Sequence, residues 1–362
     1  MMGHFFRRSR KWRLISLCRW DRASAPIYEA SSRGGGVPLL KTLLSNRCLN
    51  ECRYCGVGVS SRSGCERWRP EKLALVAYTL WKDGLIRGLF LSSAMEGDPD
   101  YVVEEELRVV EELRSMGYTG YIHLRLMPGV SRCLIREAVK LVDRVGVNLE
   151  APRSDVFSEI CPDKGDFSQD VFGRLEWIVE EAGRQGLRCG VDTQLVVGAV
   201  EDDDLSYLRI VDELYRDLGL RRVYFSGFEP VPGTPLEKRP PCRPSREYRL
   251  YQASFLIRDY GFTSDQLSEI LDDEGMLPNV DPKLAYARRH PELFPVNLNE
   301  CSYMELLKVP HIGPSTAKKI MAYRSRRGFK TFKDVERAVG RRAARLIAKY
   351  VEPSGRGLEK LG

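Results

Sequence analysis

From residue 38 onward the chain alternates short apolar runs with longer amphipathic ones, the pattern of strand and helix units in series. The apolar runs predict strands over 39–44, 85–91, 121–126, 145–149, 191–197 and 222–225. Periodic stretches between them predict helices over 70–81, 101–116, 131–142, 169–182 and 202–218. In the second of these Val102, Leu107, Val110 and Leu113 fall near one face, and Gly117 stops the helix. Six such units imply a parallel α/β sheet that right-handed crossovers curl into a barrel or partial barrel, with its chemistry at the carboxyl ends of the strands. The rhythm breaks between 230 and 244, where six prolines mark the barrel's edge. A helix is expected over 245–260, then an irregular stretch through Asp281, Pro282 and Lys283 to Pro295. The expected division is an N-terminal extension over 1–33, the barrel over 34–236, a helical or irregular extension over 237–296, and a small helical domain over 297–362.

Composition adds limits rather than detail. A chain of 362 residues with 43% hydrophobic and 30% charged positions can bury two or three cores, which excludes a peptide hormone, a disulfide-stapled mini-protein and global disorder. The net charge of +7 is unevenly placed. Residues 1–33 hold eight Lys/Arg against two Asp/Glu, and residues 299–362 hold fifteen against six, which leaves an excess of eight acidic charges between them. A polyanion is therefore expected at the basic ends. The apolar run from Leu14 to Leu17 is too short for a signal sequence, and no stretch approaches a membrane span. The cytoplasm is the expected location, with no membrane partner.

Of ten cysteines, Cys48, Cys52 and Cys55 fall within eight residues and the rest are scattered. Such spacing suits a metal in a reducing compartment better than disulfides. The run Cys48-Leu-Asn-Glu-Cys52-Arg-Tyr-Cys55 is C-x3-C-x2-C in the loop after the first strand. Three thiolates can hold three irons of a cubane cluster and leave the fourth open to substrate. A zinc site with Cys65 as a fourth ligand, or three metal-free thiols, is compatible with the same spacing. The four histidines, at 4, 123, 290 and 311, form no ligand set.

The motif and its position resemble the radical SAM superfamily. That resemblance implies a 4Fe-4S cluster on Cys48, Cys52 and Cys55, S-adenosylmethionine (SAM) on the open iron, and a 5′-deoxyadenosyl radical after reductive cleavage. It also implies a low-potential electron donor such as ferredoxin or flavodoxin. By the same resemblance, Tyr54, Ser92, Ser93, Asn148, Glu150, Val197 and Tyr224 are the residues expected around the cofactor. His123 and Cys161 are further residues able to line the barrel mouth.

Near the C-terminus, Leu306-Leu307-Lys308-Val309-Pro310-His311-Ile312-Gly313-Pro314-Ser315-Thr316-Ala317-Lys318-Lys319-Ile320 resembles a helix-hairpin-helix motif. Backbone N–H groups at the start of its second helix favour a phosphate, and lysines one turn on add charge. Ile312, Gly313, Ser315, Lys318 and Lys319 are the expected DNA contacts. Arg324, Arg326, Arg327, Lys330 and Lys333 are expected to continue the positive surface, with Tyr323, Phe329 and Phe332 in the core. Where the usual hairpin has glycine, this chain has His311, which a positive φ would strain. A helical interaction domain with a solvated basic face is the alternative. Read from about 37 to 350, the chain resembles radical SAM proteins associated with DNA modification or repair that carry a C-terminal helix-hairpin-helix. The expected function is a radical SAM enzyme acting on DNA. The alternatives are a non-catalytic Fe-S DNA-binding protein and a radical SAM enzyme acting on RNA or a small molecule.

Overall fold

The structure is a computed structural model that describes residues 27–32, 35–62 and 64–353. Most of the basic 1–33 extension, and the last nine residues, therefore lie outside the described residues.

Strand β1 (Ile27–Ser32) pairs antiparallel with β2 (Gly35–Leu43). Then follow α1 (Gly56–Arg62), α2 (Pro70–Lys82), β3 (Gly88–Ser92), α3 (Pro99–Ser115), β4 (Tyr121–Arg125), α4 (Arg132–Leu141) and β5 (Arg144–Gly146). Next come α5 (Ser154–Ile160), a π-helical turn (Phe167–Phe172), α6 (Gly173–Gln185), β6 (Val191–Val197), α7 (Asp204–Arg216) and β7 (Arg222–Gly227). Strands β2 to β7 are parallel and lie side by side in chain order, a partial (β/α)6 barrel. Helix starts follow local chemistry: Pro70 and Pro99 occupy first-turn positions, and the Asp98 carboxylate accepts from the Asp100 N–H at 2.9 Å.

The strands are two-faced. Leu89, Leu91, Ile122, Leu124, Val145, Leu195 and Val223 are buried on the outward face beneath the helices. The inward face is polar: Lys41, His123, Arg125, Arg144, Asp192, Gln194 and Tyr224 occupy the alternate positions. Gly146 belongs to this face because nothing larger fits. A Cβ there would lie 2.0 Å from the Asp192 carbonyl oxygen and 2.7 Å from Arg125 Nη1.

The chain divides into two compact units, one of Met1–Asp202 with Leu214–Glu247, the other of Asp203–Glu213 with Tyr248–Gly362. The second contains most of α8 (Pro244–Tyr260), then α9 (Ser264–Ser268), α10 (Pro282–Arg289), a 3-10 turn (Pro291–Leu293) and β8 (Val296–Asn297). It ends with α11 (Tyr303–Lys308), α12 (Pro314–Arg327), α13 (Phe332–Val339), α14 (Arg341–Ile347) and β9 (Val351–Glu352), which pairs with β8. The stretch expected to be irregular before Pro295 contains two short helices and a 3-10 turn between irregular segments. Pro282 starts α10, and the Asp281 carboxylate caps it by accepting from the Leu284 N–H at 3.2 Å. The core of this unit is apolar, built on Leu298, Leu306, Val309, Ile312, Ile320, Phe329 and Ile347.

Candidate active site and nucleic-acid interface

The cysteine loop leaves β2 and is tied down on two sides. Toward the turn after β3, the Leu49 N–H donates to the Met95 carbonyl at 2.7 Å and Ser45 Oγ donates to Glu96 Oε2 at 2.8 Å. On the other side, the Glu51 N–H donates to Asp163 Oδ2 at 2.7 Å and the Arg53 N–H to the Ile160 carbonyl at 2.8 Å. The loop is thereby presented at the carboxyl end of the sheet. There Cys48, Cys52 and Cys55 line a cavity of about 250 Å³ with Tyr54, Ser92, Ser93, Asn148 and Glu150.

Three polar atoms in this wall, Ser93 Oγ, Asn148 Oδ1 and Glu150 Oε2, are buried with no hydrogen-bond partner among the described residues. Such atoms need an acceptor or donor that the protein does not supply. Glu150 is held in the left-handed region at φ 64°, a conformation non-glycine residues rarely adopt. Its N–H donates to the Gln194 carbonyl at 2.9 Å, and its own carbonyl accepts from the Val196 N–H at 2.7 Å. Its carboxylate pairs with Lys164 Nζ at 2.5 Å.

The thiols are strongly coupled to their surroundings. Burial, with Cys52 nearby, pushes the Cys55 thiol up to about 12. A hydrogen bond from Cys161 holds Cys52 below the usual thiol value, and the Cys161 proton is correspondingly harder to remove. Lys164 stays charged: burial works against it, but Glu150, Cys52 and Cys161 push its pKa well above the ordinary lysine value. Held together as thiolates, the three would require a compensating cation. Among the described residues no three His, Cys, Asp or Glu side chains are already gathered as a metal cage. The fit to a cluster with SAM rests on the three-thiol loop and on the unpartnered atoms that share its cavity.

Two residues expected around the cofactor lie elsewhere. Val197 is on the outward face of β6, fully buried, and its neighbour Val196 lines the cavity instead. A shift of one residue reverses the face. Tyr224 is inward but outside the cavity lining, its hydroxyl accepting from Arg144 Nη1 at 3.2 Å. His123 is also inward, below the mouth, with Nε2 2.9 Å from Asp192 Oδ2. Cys161 is buried behind the loop, against Cys52. Lys41, Arg125 and Lys164 line the cavity but were not singled out in the sequence. Alternating polar positions on β4 signal Arg125, whereas Lys41, beside Thr42 among leucines on β2, and Lys164, after α5, carry no such local signal.

In the second unit, His311 has φ 64°, the positive value that a hairpin glycine normally supplies. Ser315, Lys318 and Lys319 are exposed on α12, and no protein acceptor takes the N–H of Gly313 or Ser315 among the described residues. Ile312 differs from the expectation. Its side chain is fully buried, its N–H donates to the Val309 carbonyl at 3.1 Å, and its carbonyl accepts from Lys283 Nζ at 2.6 Å, so no backbone group is left for a phosphate. Arg324 is half-buried rather than part of the basic surface, and donates to the Cys301 carbonyl at 2.6 Å. Phe329 is core as expected, with Tyr323 and Phe332 packed against it.

The fold is a partial (β/α)6 barrel, and the C-terminal unit expected to be all-α is helical apart from the short β8–β9 pair. A family described as "Helix-hairpin-helix motif" matches residues 294–351. The chain is similar to 7,8-didemethyl-8-hydroxy-5-deazariboflavin synthase from Methanosarcina barkeri, 24% identical over 219 residues, 54% of this chain. It spans 62% of that relative's length. Among solved structures it is similar to the FeFe-hydrogenase maturase HydG from Carboxydothermus hydrogenoformans, with 17% identity, 61% of this chain and 51% of that one, and a TM-score of 0.48. Methylornithine synthase (PylB) gives 18% identity, 61% and 62% coverage and 0.48. The radical S-adenosylmethionine methyltransferase TsrM from Kitasatospora setae gives 14%, 55% and 38%, and 0.43. No helix among the described residues is long and apolar enough to cross a membrane.

Proposed function

We propose that this chain is a radical SAM enzyme that acts on nucleic acid, with DNA as the substrate class and modification or repair as the outcome. The observation that carries it is the meeting of three loop cysteines and three unpartnered polar atoms, Ser93 Oγ, Asn148 Oδ1 and Glu150 Oε2, on one cavity at the strand ends. A 4Fe-4S cluster with SAM would supply one-electron cleavage to a 5′-deoxyadenosyl radical, given an electron from a ferredoxin or flavodoxin in a reducing cytoplasm. Cys48, Cys52 and Cys55 would hold the cluster. Ser93 and Asn148 offer polar contacts to SAM, Lys164 fixes the Glu150 carboxylate, and the apolar side of Val196 suits the adenine. The exposed Ser315, Lys318 and Lys319, with the Gly313 and Ser315 N–H groups, would hold phosphates without reading bases.

Mass spectrometry of nucleosides after anaerobic incubation with cellular DNA or RNA tests this reading. A modified deoxynucleoside that requires SAM and reductant is expected, and modification of RNA alone would move the substrate class.

One contact favours a second reading. Cys161 touches Cys52 and is a ready fourth thiol, as a non-catalytic Fe-S DNA-binding protein would need. Cys161→Ser separates the two: full iron content with SAM cleavage retained supports the enzyme, and loss of the cluster supports the alternative.

A further inference from the structure

The core beneath the hairpin of α11 and α12 extends beyond the hairpin itself. Ala287 on α10 belongs to the same buried cluster as Leu306, Ile312 and Ile320, and Tyr260 and Leu284 pack against it. The join is close at the end of α8, where a Cβ on Gly261 would lie 2.9 Å from Met304 Cε on α11. Helices α8 and α10 are thus part of what holds the hairpin.

A side chain from each reaches the turn. Lys283 on α10 is 7% exposed, and its Nζ donates to the Ile312 carbonyl at 2.6 Å. The Ile312–Gly313 peptide is trans, so its carbonyl and its N–H point in opposite directions. A buried ammonium on the carbonyl oxygen therefore turns the Gly313 N–H away from the core and polarises it as a donor. Tyr260, the last residue of α8, meets the same turn from the side: a Cβ on Gly313 would lie 3.7 Å from its hydroxyl oxygen. Tyr260 is half-buried, and its hydroxyl has no hydrogen-bond partner among the described residues. The same lysine covers its ring, with Nζ 4.9 Å from the centre.

The carboxylates nearby are engaged. Asp259 takes Arg258 Nε at 2.9 Å on one oxygen and Nη2 at 2.7 Å on the other. Asp281 caps α10 with one oxygen and accepts from Gln252 Nε2 at 3.4 Å with the other. Burial lowers the Lys283 pKa to about 8, with the Asp281 charge working the other way. Tyr260 stays a neutral phenol, because burial, with Asp259, Tyr303 and Asp281 adding to it, raises its pKa.

We propose that α8 and α10 complete the phosphate site of the hairpin, with Tyr260 as a direct donor beside the Gly313 N–H and Lys283 as a positioning residue behind it. The proposal rests on the nucleic-acid reading above, and its ligand is a backbone phosphodiester of DNA, taken without regard to sequence.

Fluorescence anisotropy of the full chain with a labelled DNA duplex, across salt and pH, tests this. Tyr260→Phe is expected to weaken binding about tenfold and to leave the salt slope unchanged, because a neutral hydroxyl displaces no counterion. Lys283→Met is expected to cost about tenfold at pH 7. The affinity of the parent should fall as pH rises above about 8 and the ammonium gives up its proton, toward that of Lys283→Met, which should stay level over the same range. A lysine with a structural role alone would lower the Tm of Lys283→Met and leave the parent's affinity flat with pH, and that result overturns its part. Tyr260→Phe binding as tightly as the parent overturns the direct contact. Should Lys283→Met fail to fold, the parent's pH profile and Tyr260→Phe decide the matter. A parent chain that binds no DNA removes the nucleic-acid reading and this site with it, whereas a parent that binds DNA with both variants unchanged removes this site alone.

Discussion

The barrel and the C-terminal unit place their charges on opposite sides of their cores. In the barrel the apolar residues face outward under the helices, and Lys41, His123, Arg125, Arg144 and Asp192 face inward. In the C-terminal unit the core cluster is apolar, Lys283 being buried against the Ile312 carbonyl, and Lys318, Lys319, Arg326, Arg327, Arg341 and Arg342 are exposed. Burying a charge costs several kcal/mol unless it is matched, whereas a solvated lysine costs almost nothing. On the proposed reading the cysteine-lined cavity encloses the cofactor, and the exposed charges of the C-terminal unit meet a polyanion reversibly. The two regions should fail independently when altered.

The cysteine loop gives the largest expected effect. Replacing Cys48, Cys52 or Cys55 by Ala is expected to abolish iron loading and 5′-deoxyadenosine formation, while DNA affinity stays within about twofold. A comparable loss of DNA binding would show that the two regions are one functional element. Gel shift and iron analysis on the same samples read both.

The lysines of α12 provide the reverse case. Lys318→Glu combined with Lys319→Glu is expected to weaken DNA binding about tenfold or more at low salt and to lower the log–log salt slope by roughly 0.9 for each phosphate that is no longer neutralised. SAM cleavage measured without DNA should not move. An unchanged slope would place the nucleic acid elsewhere.

Much of this division was legible in the sequence. Strand β6 falls where the apolar run predicted it because Gly190 and Gly198, both at positive φ, bound it on each side. Strand β5 is shorter than the run over 145–149, since the chain leaves the ladder after Gly146 and touches it again only through Glu150. The positive φ anticipated at His311 is present. What local pattern did not supply was contact between distant segments: Cys161 against Cys52, Lys164 against Glu150, and Lys283 closing on the Ile312 carbonyl. Val197 was misassigned to the cavity because apolar residues occupy both faces of β6, so composition there does not reveal parity.

Two smaller effects sharpen the contrast between buried and solvated charge. Glu106 is fully buried on α3, and neither carboxylate oxygen has a partner among the described residues. Burial pushes its pKa well above the ordinary 4.5. The folded state then holds the proton that the unfolded state releases, so stability falls as pH rises above about 4.5, by roughly 1.4 kcal/mol per pH unit until the native value is reached. Glu106→Gln is expected to be more stable than the parent at pH 7 and equal to it at pH 4, by urea unfolding. A variant less stable at pH 7 would mean that an ionised carboxylate is held there.

His311→Gly should relieve a left-handed non-glycine residue. It is expected to raise stability by up to about 1 kcal/mol, or roughly 2–4 °C in Tm. A fall in Tm would mean that the imidazole contributes more than its backbone strain costs.

The most direct measurement is anaerobic reconstitution of the full chain with iron and sulfide, followed by SAM and a low-potential reductant. About four irons per chain and 5′-deoxyadenosine formed at the expense of SAM are expected. A fully loaded cluster that leaves SAM intact would contradict the account.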